Sequence, residues 1–255
     1  MNTVKPIYTT SLRASYKSWP HTGHTSDIFE KRHADFMAIE APSMNPADDA
    51  WHMLAALAAT DGSAAHPRVA ALAAPAAARR DVADAVHAVC TIHGRYLFED
   101  TALARDEATA DWFARVTTAF TNERAYLAHL TAAVGPLPST PGQAQADAAF
   151  ASQRHAFDML ARSDRKGCAL GAAVALVLDW EAIRTVLDAA AARFGVAVPP
   201  SELPDRTDLA AFVATVGDSP AIRRAIAFGA QQVFAQHRGL WSLLEARASA
   251  RDHHG

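Results

Sequence analysis

Apolar residues recur every three or four positions through most of the chain after residue 44, which is the period of an amphipathic helix. Val, Ile, Thr and aromatic residues are too scattered to form alternating strand patterns, and alanine is abundant, so intrinsic propensity also favours helix. Because long helices joined by short turns pack as antiparallel neighbours, the pattern predicts an all-α fold. We expect a single bundle of about six to seven helices, mostly antiparallel.

Helix start and stop residues divide this region into segments. Asn45 and Pro46 open a first helix that Gly62 ends, and residues 64–80 form a proline-interrupted connector with room for a short turn of helix. Further helices are predicted over residues 82–98, 109–134, 143–162, 167–194 and 207–216, and a last one from Pro220 to Ala248. The bundle domain thus spans residues 44–248, and residues 249–255 are predicted to be a frayed C-terminus.

Residues 1–43 differ in composition from the rest of the chain. They are rich in Ser, Thr, Lys and Tyr and lack a helical period, which is typical of a disordered or loosely attached tail. Two alternatives stay open: the basic, hydroxyl-rich start has features of a transit peptide, or Met44 is the true start.

Charge and hydropathy limit the classes of partner. The chain has 24 basic and 27 acidic residues and a net charge of −3, so it has no basic excess for binding nucleic acid. No hydrophobic signal segment opens it, and the apolar run at 168–178 is shorter than the roughly 18 residues that a membrane-spanning helix needs. The two cysteines, Cys90 and Cys168, lie in apolar helical patterns and fit a reducing compartment. We expect a cytoplasmic protein with no membrane or nucleic-acid partner.

A carboxylate interrupts the apolar seam of the helix predicted at 109–134. Phe120 and Leu127 lie on the seam, and Glu123 occupies the position between them. A buried carboxylate without partners is very unfavourable, so Glu123 must be protonated, paired, bound to a metal or less buried than the pattern indicates. A structural ion pair is the commonest outcome, and Arg154, Arg184 and His237 are the candidate partners across the bundle.

Two adjacent polar residues interrupt apolar stripes of the last helix, Gln236 and His237. A single histidine on an apolar face is more often a hydrogen-bonded core residue than a ligand. The pair nevertheless suggests a local polar pocket, for which the candidates are Glu123, Gln153, Gln236 and His237.

A metal site is the alternative use of these side chains. The candidate ligands are Glu123, Glu181, His93 and His237; Glu181 either lies where its stripe emerges into water or faces inward as a ligand. The chain has no Glu-x-x-His pair of the ferritin-like di-iron kind. His87, Cys90 and His93 are spaced by three residues, but residues six apart diverge by about 120° on a helix, so one zinc ion does not suit all three.

Small residues recur at helical spacing in the segment 167–194, among them Cys168, Gly171, Ala172, Ala175 and Ala182. This spacing predicts that a neighbouring helix approaches closely.

Three segments resemble an uncharacterised family of all-helical bacterial proteins: GPLPSTPGQAQ, GAAVALVLDWEAIRTVLDAAAARFG and FGAQQVFAQHRGLWSLLEAR. The resemblance covers roughly residues 45–247. It implies an all-helical domain of unknown function and supplies no catalytic residues.

Three functional hypotheses follow. The first is a binding or interaction module with a small internal polar pocket for an apolar ligand. The second is a metal-dependent oxidoreductase, haem-oxygenase-like or ferritin-like, and a metal ion is the one cofactor we consider. The third is a scaffold that forms homo-oligomers through an alanine-rich face. Phosphate-binding loops, dinucleotide fingerprints and nucleophile elbows are absent from the sequence, which weakens the enzyme hypotheses.

Overall fold

A computed structural model describes residues 46–95, 98, 107–217 and 219–254. These residues form eight α-helices and one short 3-10 turn, Ser63–Ala65, and contain no strand. The helices are α1 (Pro46–Asp61), α2 (Pro67–Ala73), α3 (Arg79–His93), α4 (Glu107–Val134), α5 (Gln143–Ala161), α6 (Cys168–Phe194), α7 (Arg206–Val216) and α8 (Pro220–His254). The all-α prediction is confirmed, whereas the interpretations of residues 1–43 lie outside the described residues.

The helix count exceeds the prediction because the connector contains α2. His66 caps this helix by accepting a hydrogen bond from the Arg68 amide on Nδ1 at 3.2 Å, and Pro67 occupies the first turn. Both α3 boundaries also differ: it begins at Arg79 and ends at His93, where Gly94 follows as the C-cap, whereas the prediction was 82–98. Helices α5, α6 and α7 agree with the predicted bounds within one residue at each end.

Helix α6 is the central element of the bundle. Every residue from Gly171 to Trp180 is buried, and the helix packs against α2, α3, α4, α5 and α8. No helix of the described residues combines the length and the apolar character that crossing a membrane would require.

Contacts between helices define their relative directions. On α4 and α6, Glu123 contacts Arg184 and Tyr126 contacts Asp188, so these two helices run in the same direction. Helix α8 runs in this direction too, because it meets α6 near Gly171 at its start and near Asp179 further along. Helices α3 and α5 run antiparallel to α8, because their earlier residues contact its end and their later residues contact its middle: Asp84 and Gln143 meet Arg247, His93 meets His237, and Gln153 meets Gln236. The predicted antiparallel arrangement therefore holds for α3 and α5 against α8, but not for α6 against α4 or α8.

Two glycines allow the close approach of α6 and α8. A Cβ atom added to Gly171 would overlap the backbone of Ile226, and one added to Gly229 would overlap the Cys168 carbonyl. Backbone therefore packs directly on backbone at this crossing, as the small residues of α6 predicted.

The end of α8 requires a correction. The helix continues past Ala248 to His254, and Arg247 and Arg251 are both buried. Each donates to Asp84 on α3, Arg247 Nη2 at 2.8 Å and Arg251 Nη1 at 2.7 Å, and Arg251 Nη2 also donates to Asp81 at 2.8 Å. The apolar period stops near Leu244, so the pattern gave no sign of a segment that ion pairs attach to the bundle.

Candidate functional site

Glu123 lies inside the bundle, only 2% exposed, with two donors from α6. Trp180 Nε1 donates to its Oε2 at 2.9 Å, and Arg184 Nη1 donates to its Oε1 at 2.5 Å. Glu123 therefore faces away from water, and of its three candidate partners it forms an ion pair with Arg184. Of the other two candidate partners, Arg154 is exposed and His237 is bonded to Asp179.

Arg184 uses every nitrogen of its guanidinium group. Its Nε donates to Asp188 at 2.8 Å, its Nη2 donates to the Pro199 carbonyl, and the group lies 4.5 Å from the centre of the Tyr126 ring. Burial acts to lower the pKa of Arg184, but the bond to Asp188 and the charge of Glu123 outweigh it and raise the pKa. The guanidinium group therefore stays charged, and its bonds link α4, α6 and the loop that follows α6.

A second buried chain of hydrogen bonds begins one residue before Trp180. Asp179 accepts from the Ser63 amide on Oδ1 at 2.7 Å, and from the Ser63 hydroxyl and His237 Nδ1 on Oδ2 at 2.5 and 2.6 Å. Trp241 Nε1 donates to the Ser63 hydroxyl at 2.8 Å, and His237 Nε2 lies 3.0 Å from His93 Nε2. All five side chains are buried.

One N–H group joins the two histidine rings. Asp179 accepts from the Nδ1–H of His237, and a single proton between the two Nε2 atoms completes their 3.0 Å contact. Burial, and next the charge that His237 would carry, hold the pKa of His93 well below its ordinary value. The His93 ring is therefore neutral, and it contacts a His237 ring that has a carboxylate behind it.

Trp180 connects the two clusters. Its indole N–H bonds Glu123, and its ring meets the His93 ring edge-on, with centroids 5.4 Å apart and planes at 90°. We call the two clusters together the buried network, formed by Ser63, His93, Glu123, Asp179, Trp180, Arg184, His237 and Trp241.

The predicted pocket residues separate into two groups. Glu123 and His237 belong to the buried network. Gln153 Nε2 instead donates to the Gln236 backbone carbonyl at 3.1 Å, and Gln236 lines a surface pocket between α5 and α8. Consecutive residues point about 100° apart on a helix, so Gln236 and His237 face different surroundings. The four residues do not line one internal pocket.

The four predicted metal ligands do not converge. Glu181 is 76% exposed, 3.6 Å from Arg206, so its stripe emerges into water at this point. Glu123 is occupied by Trp180 and Arg184, and only His93 and His237 meet. Among the residues that the structure describes, no three His, Cys, Asp or Glu side chains are arranged to hold an ion. His87 Nε2 donates to the Gly135 carbonyl oxygen at 2.8 Å, away from His93.

Sequence reasoning missed Ser63 and the role of Asp179. Asp179 directly follows the apolar run at 168–178, a position that suggests exposure, yet its side chain is only 3% exposed. A signal was present, because Asp179 is the only charged residue in a ten-residue stretch that is otherwise apolar. Ser63 lies in a short turn, where the sequence has no period that indicates burial.

A groove runs along the outer face of α6. One cleft, of about 570 Å³, lies between α6 and residues 201–209, and a second, of about 330 Å³, lies between α6 and α2. Both are lined by Leu178, Glu181, Thr185 and Arg206, and we call them together the α6 groove. Trp180 and Arg184 line the larger cleft, and Asp179 lines the smaller one.

The fold and the buried network define the chain as an all-helical protein organised around a central helix. The model of the Family of unknown function (DUF6975) matches residues 58–252, and the chain belongs to this family. The match includes every residue of the buried network and does not test the bacterial origin that the resemblance implied. No curated protein and no solved structure matches the chain.

Replacing Glu123 by Gln is expected to lower the free energy of unfolding by about 1–3 kcal/mol, because Arg184 would lose one of its two carboxylate partners and keep only Asp188. Chemical denaturation measures the change. Glu181→Gln is the matched control, since its pair with Arg206 is exposed and is worth about 0–1 kcal/mol. Equal effects of the two variants would contradict the importance of the buried pair.

Stability is expected to decrease as the pH falls below about 6.5, the ordinary pKa of histidine. Because the pKa of His93 is lowered in the native state, the unfolded chain binds the proton more readily. Urea unfolding at about pH 7.5 and about pH 5.5 measures the difference, which His93→Asn should reduce. Part of the pH dependence of the free energy of unfolding should remain in this variant, because burial also lowers the pKa of His66. The charge of Glu245 opposes this shift and that of Arg238 adds to it. An unchanged slope in His93→Asn would contradict the prediction.

Proposed function

We propose that the protein is a binding module that takes a small, largely apolar ligand in the α6 groove. One observation carries this proposal: the side chains that hold the buried network also form part of the groove. Trp180 and Arg184 bind Glu123 on one side and line the larger cleft on the other. A ligand there would rest on side chains whose positions are fixed from within.

The dimensions of the groove suit a small organic molecule. Ligand pockets commonly measure about 300–1,000 Å³ and are lined mainly by apolar groups with a few polar ones. The larger cleft, at about 570 Å³, falls within this range. Its apolar side chains are Val177, Leu178, Trp180, Leu203, Pro204 and Leu209.

Eight of the fourteen residues that line the larger cleft are polar or charged, so a ligand there also meets polar groups. Arg206 and Glu181 are both largely exposed and meet at 3.6 Å, where their charges are screened by water. The nitrogens of Arg184 are already committed to Glu123, Asp188 and the Pro199 carbonyl. The ligand that fits this arrangement has an apolar body and a polar group at the rim.

The test uses 8-anilinonaphthalene-1-sulfonate, a dye with an apolar ring system and one sulfonate group, whose fluorescence rises in an apolar site. We expect saturable binding to the folded protein, and a loss of about tenfold or more in affinity when Thr185→Trp fills the groove. Thr118→Trp is the matched control, because Thr118 is also exposed and also donates to the carbonyl four residues earlier on its helix. Equal binding by both variants would refute the groove as the site.

The alternative proposal is a metal-dependent oxidoreductase. It is supported by the two histidines whose Nε2 atoms lie 3.0 Å apart, with Asp179 behind His237. A carboxylate bonded to the far nitrogen of a histidine is a common arrangement behind metal ligands, because it fixes the ring and raises its basicity.

Elemental analysis of the purified protein distinguishes the two proposals. The metal proposal requires about one equivalent of iron, manganese or zinc, lost in His237→Ala and retained in the exposed control His155→Ala. Metal content that is negligible, or equal in the two variants, would refute it.

We also propose a cytoplasmic location. It is supported by Cys90 and Cys168, which are both free thiols. Free thiols persist most readily in a reducing compartment.

A further inference from the structure

A surface pocket of about 300 Å³ lies between α5 and α8, on a different face from the α6 groove. Its walls include Met159, Leu160, Cys168, Phe228 and Gln232. Met159 is 59% exposed and Phe228 is 42% exposed, so two of the largest exposed apolar side chains of the described residues occur together here. We call this the α5–α8 pocket.

Positive charge surrounds the α5–α8 pocket. The guanidinium group of Arg165 lies 5.6 Å from the centre of the Phe228 ring. Arg224 precedes Phe228 by four residues, so the two side chains share one face of α8, and Arg162 directly follows the end of α5, three residues after Met159.

Few acidic side chains offset these cations. In sequence, no Asp or Glu occurs between Pro220 and Leu244 of α8. On the α5 side, Asp158 is bonded to Arg95 at 2.5 Å, which leaves Asp164 against Arg162, Arg165 and Lys166. The rim is therefore positive, although the whole chain carries a net charge of −3.

We infer that the α5–α8 pocket is a docking site for an acidic amphipathic segment of a partner protein. One large apolar side chain of the partner enters between Met159 and Phe228. Carboxylates of the partner, placed on either side of this anchor, meet Arg162, Arg165 and Arg224. A buried apolar anchor within a ring of complementary charge is a common arrangement at protein–protein contacts.

The shape of the surface favours this occupant over an anionic membrane. A membrane-binding surface presents apolar side chains that project into the lipid, whereas the α5–α8 pocket is concave and matches an inserted side chain. Residues 1–43 contain five basic and four acidic side chains, so as a whole they have no negative excess to match the rim. Charge complementarity thus points to a separate acidic chain.

The experiment measures binding of a fluorescein-labelled helical peptide with Leu and Phe on one face and Glu on the other. We expect saturable binding by fluorescence anisotropy that weakens as salt rises. Met159→Glu and Arg165→Glu should each reduce the affinity about tenfold or more, because one removes the apolar anchor site and the other reverses a rim charge.

The controls place the same changes elsewhere on the surface. Val198→Glu alters another exposed apolar residue and Arg115→Glu another exposed arginine, and both should change the affinity by less than about twofold. Thr185→Trp should also leave peptide binding intact, which separates this inference from the ligand in the α6 groove. Circular dichroism confirms that each variant is folded.

Four results would overturn the inference. The first is equal binding of a peptide with Lys in place of Glu. The second is unchanged binding by Met159→Glu. The third is that the wild-type protein sediments with phosphatidylserine vesicles and the Met159→Glu variant does not, which would assign the pocket to a membrane surface. The fourth is that light scattering shows a dimer for the wild-type protein and a monomer for Met159→Glu, which would assign the pocket to a second copy of the chain.

Discussion

The ion pair between Glu123 and Arg184 is the constraint on which the arrangement of the helices depends. A charge at this depth is tolerated only when its partners are in place, so α4 and α6 must meet with Trp180 and Arg184 both directed at one carboxylate. The same requirement positions the loop after α6, because the last free donor of Arg184 binds Pro199. Hydrogen bonds are directional and apolar packing is not, so these bonds restrict the register of α4 against α6 more narrowly than packing does.

Buried polar contacts also determine which elements α8 joins. Its first half packs backbone to backbone on α6, its middle supplies His237 to Asp179, and its last turns supply arginines to Asp84. These contacts are spaced along the helix and reach different partners. The bundle thus combines an apolar interior with a few directional bonds that specify how the helices are assembled.

The sequence predicted the all-α fold and most helix ends, because caps, prolines and a helical period mark them locally. It also predicted that Glu123 is buried, since a polar residue interrupting a clear apolar seam is a local signal. It did not predict which of the candidate metal ligands lie close together. His93 contacts His237, whereas Glu181 faces water. The reason is that no local sequence pattern indicates how two helices are rotated relative to each other. Ser63 and the α8 extension were missed because hydrogen bonds and ion pairs attach them, and these leave no hydrophobic period.

Helix α8 links distant parts of the molecule. Its 35 residues correspond to a rod of about 52 Å, and the glycine crossing, the histidine and the terminal arginines are fixed at three heights along it. A stiff rod held at three points cannot slide at one of them alone. Whatever displaces its first turns is therefore felt at its far end, so distant parts of the molecule are mechanically coupled through a single continuous backbone.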